Sequence, residues 1–108
     1  MNVDVKVTSK VDEVLRATKA AAERGLEAVG LQAEGYAKMI CPVDTGNLRN
    51  SITHTSDGEA AYVGTNVEYA PYVEYGTSKT KAQPFLRPAA EDHTTEYKAI
   101  FEDQLKNA

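Results

Sequence analysis

A chain of 108 residues has material for one domain and one modest core, burying roughly 65% of the surface its unfolded form exposes. Its formal net charge of −4 at pH 7, with acids interleaved among the bases, argues against a dedicated nucleic-acid binder, which concentrates Lys and Arg on one face. The single cysteine, Cys41, excludes an intrachain disulfide and a cysteine-based metal cluster; no apolar run of signal-peptide type opens the chain, and no apolar stretch of about 18 residues offers a membrane span.

Val3, Val5 and Val7 alternate with Asp4 and Lys6, the period of a half-exposed strand. Ser9 then offers an N-cap, with Asp12 in the capping-box place, and a long helix follows. Its inward positions are Val11, Leu15, Thr18, Ala22, Leu26, Val29, Ala33, Tyr36 and Ile40, in steps of three and four. Pro42 ends it, because the residue before a proline is driven out of the α region. About 30 residues make a rod near 45 Å, longer than the ~35 Å diameter of a compact domain of this size. Either the helix bends at Gly25, Gly30 or Gly35, or one end projects with an apolar stripe that asks for a partner.

Asp44, Thr45 and Gly46 make a turn from the helix into a sheet, with Leu48 beneath it. Residues 51–55 and 60–65 read as strands around Asp57-Gly58, a strong hairpin signal. In residues 66–76 the tyrosines 69, 72 and 75 recur every third position. A short helix capped by Asn66 and closed by Gly76 competes there with an edge strand interrupted by Pro71. Residues 77–83 are polar and without apolar period, an exposed, mobile loop at about 76–84. Phe85 and Leu86 re-anchor the chain, and Pro88 suits the first position of a final helix. That helix has Ala90, Tyr97, Phe101 and Leu105 on its apolar face and pairs Glu102 with Lys106 outside. The expected fold is α+β, a single domain with a long N-terminal helix and a C-terminal helix packed on one face of a small antiparallel sheet.

Catalysis would fall to Cys41 as nucleophile with His54 or His93 as base. Cys41 ends a helix, where the dipole disfavours a thiolate, and reads better as a small apolar residue. His54 shares a strand face with Ile52, as a rim histidine does, and His93 belongs to a solvated first turn. Glu68 and Glu74 form no convincing acid–base pair, and Glu74 is placed to meet Arg49 or Arg87. Two isolated histidines give no metal spacing, and no phosphate loop follows a strand. The residues point to no enzyme, no cofactor, no metal and no small-molecule substrate.

Three motifs are not generic. They are the P-x-x-T-G-x-L-x-x-S-I turn from Pro42 to Ile52, the Y-A-x-x-V-E-x-G-T segment from Tyr69 to Thr77, and the Q-P-F-L-R-P-A run from Gln83 to Ala89. Their order and register resemble a family of tailed-phage and prophage proteins described as tail components, minor tail or head–tail joining proteins. The resemblance spans residues 10–105.

It implies a virion protein, made in the host cytoplasm, that forms a commonly sixfold ring at the tail end or in the neck. Its partners would be its own copies and adjacent tail or neck proteins, in unlike surfaces that close by rotation. The candidate interface residues are Tyr72, Glu74, Tyr75, Lys79, Lys81 and Arg87. Tyrosines offer apolar area with polar tips, although Tyr69 is better explained by packing of its own short element. Residues 77–83 are the segment expected to order on assembly, with Lys79 and Lys81 meeting an acidic neighbour or DNA in the lumen. The competing readings are a small cysteine-dependent hydrolase, which Cys41→Ala would inactivate, and a weak DNA-binding accessory protein.

Overall fold

The computed structural model describes residues 3–9, 19–42 and 47–106. In chain order the elements are β1 (Val3–Ser9), α1 (Lys19–Ile40), α2 (Asn47–Ser51), β2 (Thr53–Ser56), β3 (Ala60–Thr65), α3 (Ala70–Tyr75), α4 (Leu86–Glu91) and α5 (Thr94–Lys106). The strands form one antiparallel sheet in the order β1-β3-β2. The fold class is α+β, with the long helices packed on this small sheet.

The hairpin forms where Asp-Gly predicts it. Asp57 Oδ1 accepts the N–H groups of Glu59 and Ala60, both at 2.9 Å, and Gly58 supplies a φ of 94° that a side chain would resist. Those backbone hydrogen bonds hold the Asp57 carboxyl below its ordinary range. The pairing sets His54 opposite Val63 and Thr55 opposite Tyr62. β3 is the central strand, and its Ala60, Ala61, Val63 and Thr65 are buried, so little of it reaches water. The strand before the hairpin is shorter than its sequence suggests. Ser51 belongs to α2, where its hydroxyl donates to Leu48 O at 2.6 Å, an alternative that serine readily offers the backbone.

Helix α1 lies across β2 and β3, with α5 packed along it. Ala22, Leu26, Val29 and Ala33 are buried as expected, and Tyr36 is half-buried against the core. Val11, Leu15 and Thr18 lie outside the described residues, as does the turn at Asp44, Thr45 and Gly46. Ile40 departs from the expectation, at 45% exposed. Steps of four carry the buried line around the helix from Ala33 to Ala37 and Cys41, which turns Ile40 outward. Two of the helix's glycines are contact points. A Cβ on Gly25 would meet the Phe101 ring at 2.7 Å, and one on Gly30 would meet His54 Cδ2 at 2.8 Å.

The single final helix is two helices. The chain turns at Asp92 and His93, where Asp92 N–H closes α4 on Pro88 O at 2.9 Å. His93 then stacks on Tyr36, ring centres 3.7 Å apart and 4° from parallel, so α5 runs along α1 while α4 packs against β1 and α1. Ala90, Tyr97 and Phe101 are buried and Leu105 is half-buried. Tyr97 donates its hydroxyl to Ala89 O, and burial pushes its pKa far up. No ion pair joins Glu102 to Lys106; on α4, Arg87 pairs with Glu91 at 4.0 Å.

Candidate interaction surface

The middle tyrosines sit on a short helix, and the edge-strand alternative is set aside. α3 starts at Ala70 with Pro71 in its first turn, where a missing N–H costs nothing. Asn66 is not its cap; Tyr69 holds that place without a side-chain hydrogen bond. Gly76 closes the helix at φ 79°, its N–H on Tyr72 O at 2.9 Å. A Cβ there would meet Ala82 N at 2.7 Å, so the position requires glycine for conformation and space.

A spacing of three puts Tyr69, Tyr72 and Tyr75 along one side of a single-turn helix. They are 41%, 59% and 62% exposed. Tyr69 is thus less a packing residue than its neighbours suggested: its hydroxyl reaches Asn47 Nδ2 at 3.5 Å. Tyr69 and Tyr72, with Pro42, Val73, Lys81 and Gln83, line a cleft of about 230 Å³. The loop beyond it is exposed and closed on itself. Thr77 N–H donates to Thr80 O at 2.8 Å, Thr77 Oγ1 accepts from Thr80 N–H at 3.0 Å, and Gln83 N–H returns to Val73 O at 2.8 Å. Lys79 and Lys81 are both exposed on this loop.

Glu74 has a different role from its tyrosine neighbours. It is 4% exposed. Its Oε1 accepts Phe85 N–H at 3.0 Å and Leu86 N–H at 2.9 Å, and its Oε2 accepts Arg87 N–H at 3.1 Å. The start of a helix leaves its first N–H groups without intrahelical partners. Here three go to one carboxylate, and the next residue, Pro88, has none to satisfy. Glu74 therefore caps α4 across a gap of eleven residues and ties both ends of the exposed loop together. Its partner is the backbone of Arg87, not a guanidinium. Arg87 and its side chain are exposed.

Neither histidine serves Cys41. The thiol is 4% exposed, donates to Pro42 O at 3.4 Å, and has its pKa raised by burial against a smaller opposing effect of Arg49. A protonated, covered thiol is a packing group. His54 lies over Gly30 with both ring nitrogens taken, Nδ1 by Glu34 at 2.9 Å and Nε2 by Glu27 at 2.7 Å. Burial disfavours its charged form, but the two carboxylates outweigh that and raise the pKa. Burial likewise pushes Glu34 up, and hydrogen bonds from His54 and Lys38 outweigh it and lower the pKa. Through these two contacts the His54 ring clamps β2 to α1. His93 is not a solvated first-turn residue but the half-buried ring stacked on Tyr36. Among the described residues no three acids, histidines or cysteines group to hold a metal, and no helix is long and apolar enough to cross a membrane.

One surface escaped the sequence reading. Leu31 is 58% exposed and Met39 76% exposed, on the side of α1 turned away from the core, with Gly35 between them. The four-residue steps from Leu31 through Gly35 to Met39 stand in the sequence, but the apolar period of the buried stripe draws attention to the opposite face.

Against known proteins, the family model described as "Bacteriophage HK97-gp10, putative tail-component" matches residues 6–76. No curated protein and no solved structure matches the chain.

Proposed function

Because the chain belongs to the HK97-gp10-like family of bacteriophage tail components, we propose that it is a structural subunit of the virion that assembles into a ring. The ring is hexameric and sits at the upper end of the tail or in the neck, where it completes the tail or joins it to the head. The subunit works by binding, not by catalysis. Its partners are other copies of itself and the adjacent tail or neck proteins.

The observation that carries this reading is the exposed side of α3 and its loop. Tyr72 and Tyr75 leave most of their surface to water, although large aromatic side chains are usually covered. Lys79 and Lys81 stand on the adjoining loop and Arg87 at its far end. Aromatic anchors with a basic rim are common at protein interfaces. Glu74, named with these residues from sequence, contributes from inside by fixing the loop they stand on. The loop of residues 76–84 is the segment that orders further on assembly, its lysines meeting an acidic neighbour or the passing DNA.

Electron microscopy of lysates from a phage lacking this gene tests the proposal. Filled heads beside unattached tails, or tails of uncontrolled length, are the expected result, reversed by the wild-type gene in trans. Normal infectious particles would refute it.

A further inference from the structure

The cleft between α3 and its loop has a volume of about 230 Å³. Half-buried Pro42 and Val73, with exposed Tyr69 and Tyr72, give it apolar surface, and Lys81 and Gln83 add polar groups. It is built in advance. Gln83 N–H is fixed on Val73 O and Gly76 N–H on Tyr72 O, while the Glu74 carboxylate ties down the start of α4. Drug-sized ligands take pockets of roughly 300–1,000 Å³, whereas a cavity of about 150 Å³ is enough for benzene. The recess therefore suits one large apolar side chain and not a metabolite.

The loop beside it is basic. The whole chain has 16 acids and 12 bases, yet residues 75–90 carry Lys79, Lys81 and Arg87 and no acid. Arg87 pairs with Glu91, and the other ion pairs join Lys38 and His54 to Glu34 and His54 to Glu27, so neither loop lysine has an acidic partner among the described residues. Glu68, exposed ahead of Tyr69, pairs with neither. Hydrogen bonds within the loop use its backbone and the Thr77 hydroxyl, which leaves the side chains of Lys81 and Gln83 for a ligand. A second copy does not supply the complement. Its exposed large apolar residues away from this cleft, among those described, are Leu31, Met39 and Ile40. The acids within a turn of Leu31 are Glu27 and Glu34, both held by His54, and Met39 and Ile40 follow Lys38.

We propose that this cleft binds an acidic segment of an adjacent tail or neck protein. One apolar side chain of the segment seats against Tyr69 and Tyr72, and carboxylates beside it meet Lys81 and Lys79. Burial of the apolar group supplies most of the affinity, while the lysines orient the segment and reject basic ones. Duplex DNA would meet the lysines but has no side chain for the cleft, and its charge is repelled by a chain of net −4. This rests on the tail-component reading above and adds to it the chemistry of the partner.

Amide NMR of the purified full chain, titrated with four probes, provides the test. The first is a blocked peptide with leucine between two pairs of aspartates. The second has glycine for the leucine, the third has lysines for the aspartates, and the fourth is a short DNA duplex. The first peptide is expected to shift the amides of Tyr72, Val73, Lys81 and Gln83 together and saturably, and more weakly at high salt. Glycine for leucine should weaken binding about tenfold or more. Lys79→Gln with Lys81→Gln should weaken it about fivefold and leave the Tm unchanged, since both side chains are exposed. The proposal is overturned if those amides stay in place, if the glycine or lysine peptide binds as well, or if the duplex shifts them at lower concentration. The same shifts on concentrating the chain alone would give the cleft to a second copy and overturn it equally. The gene-deletion phenotype does not depend on what this cleft holds, so failure here and failure of the tail-component reading stay distinct.

Discussion

Replacing Glu74 by Ala orphans the N–H groups of Phe85, Leu86 and Arg87 at a site closed to most water. An unsatisfied buried donor costs about 1–3 kcal/mol. Some relaxation of the loop is expected, so the loss should be about 3 kcal/mol, a fall in Tm of more than about 10 °C. Glu74→Gln keeps one acceptor oxygen and should lose roughly half as much. Equal losses in thermal or urea melts would mean that the cap is not what Glu74 supplies. The sequence marked Glu74 as unusual and mistook its partner. A carboxylate between tyrosines suggests an arginine nearby, whereas acceptance of backbone N–H groups eleven to thirteen residues away has no spacing signature.

His54 makes stability depend on pH. Its folded pKa lies above the ordinary 6.5, so its contribution is complete below 6.5 and is lost as pH rises through the raised folded value. Glu34 is lowered from 4.5, so its contribution is present above 4.5 and is lost as pH falls through the lowered folded value. The clamp is strongest between those ordinary values. Urea midpoints should therefore fall from pH 6 to pH 8.5 in the wild-type chain, and His54→Asn should flatten that slope. An unchanged slope in the variant would show that another group sets it. The sequence placed His54 on the rim of the core, which is where it lies. Its two glutamate partners were hidden because Glu27 and Glu34 converge only when Gly30 lets the ring down onto the helix.

Among the elements, α1 concentrates the contrasts. Its three glycines are the same residue in the same helix, and Ala is the better helix former at each by about 0.5–1 kcal/mol. Context reverses that preference twice. Gly25→Ala forces the Phe101 ring away, and Gly30→Ala forces away the clamped imidazole; each should destabilise by about 1–3 kcal/mol. Gly35→Ala meets open space and should stabilise the isolated chain by the propensity difference, about 0.5–1 kcal/mol. Denaturant melts of the three variants check the order. A uniform gain across all three would contradict the contacts. Periodicity made the existence and C-terminal end of this helix legible, since Leu26, Val29 and Ala33 face inward and Pro42 follows its last turn. It did not separate α4 from α5. Pro88 and the acids after it describe the start of some helix, while the turn at His93 depends on Tyr36, 57 residues earlier. Helix α2 was missed for a related reason: five residues are too few to show a period, and strand-favouring Ile52 and Thr53 follow directly.

At the scale of the whole molecule, a helix of 22 residues, about 33 Å long, runs through a body of 48 × 23 × 21 Å. The longer helix expected from sequence begins in residues outside those described, and the apolar face left uncovered is that of Leu31 and Met39, opposite the expected stripe. The α+β class and the family were both legible from sequence, because hairpin signals, helix period and three motifs in register agree with one another. Which surfaces a partner covers was not, since a sequence does not separate an aromatic residue packed within its own chain from one awaiting another.

Cys41 offers a check on the non-catalytic reading at this scale. Its covered thiol should react with a thiol reagent in the folded chain far more slowly than after unfolding. A phage carrying Cys41→Ala should still form infectious particles, and loss of infectivity by a stably folded variant would revive the hydrolase. The most direct test of the account is where the chain resides. Gradient-purified particles, disrupted and separated into heads and tails, can be quantified by mass spectrometry for this chain. Several copies per particle are expected, held with the tail or with the neck that joins it to the head. Particles that are complete and infectious yet lack the chain would contradict it.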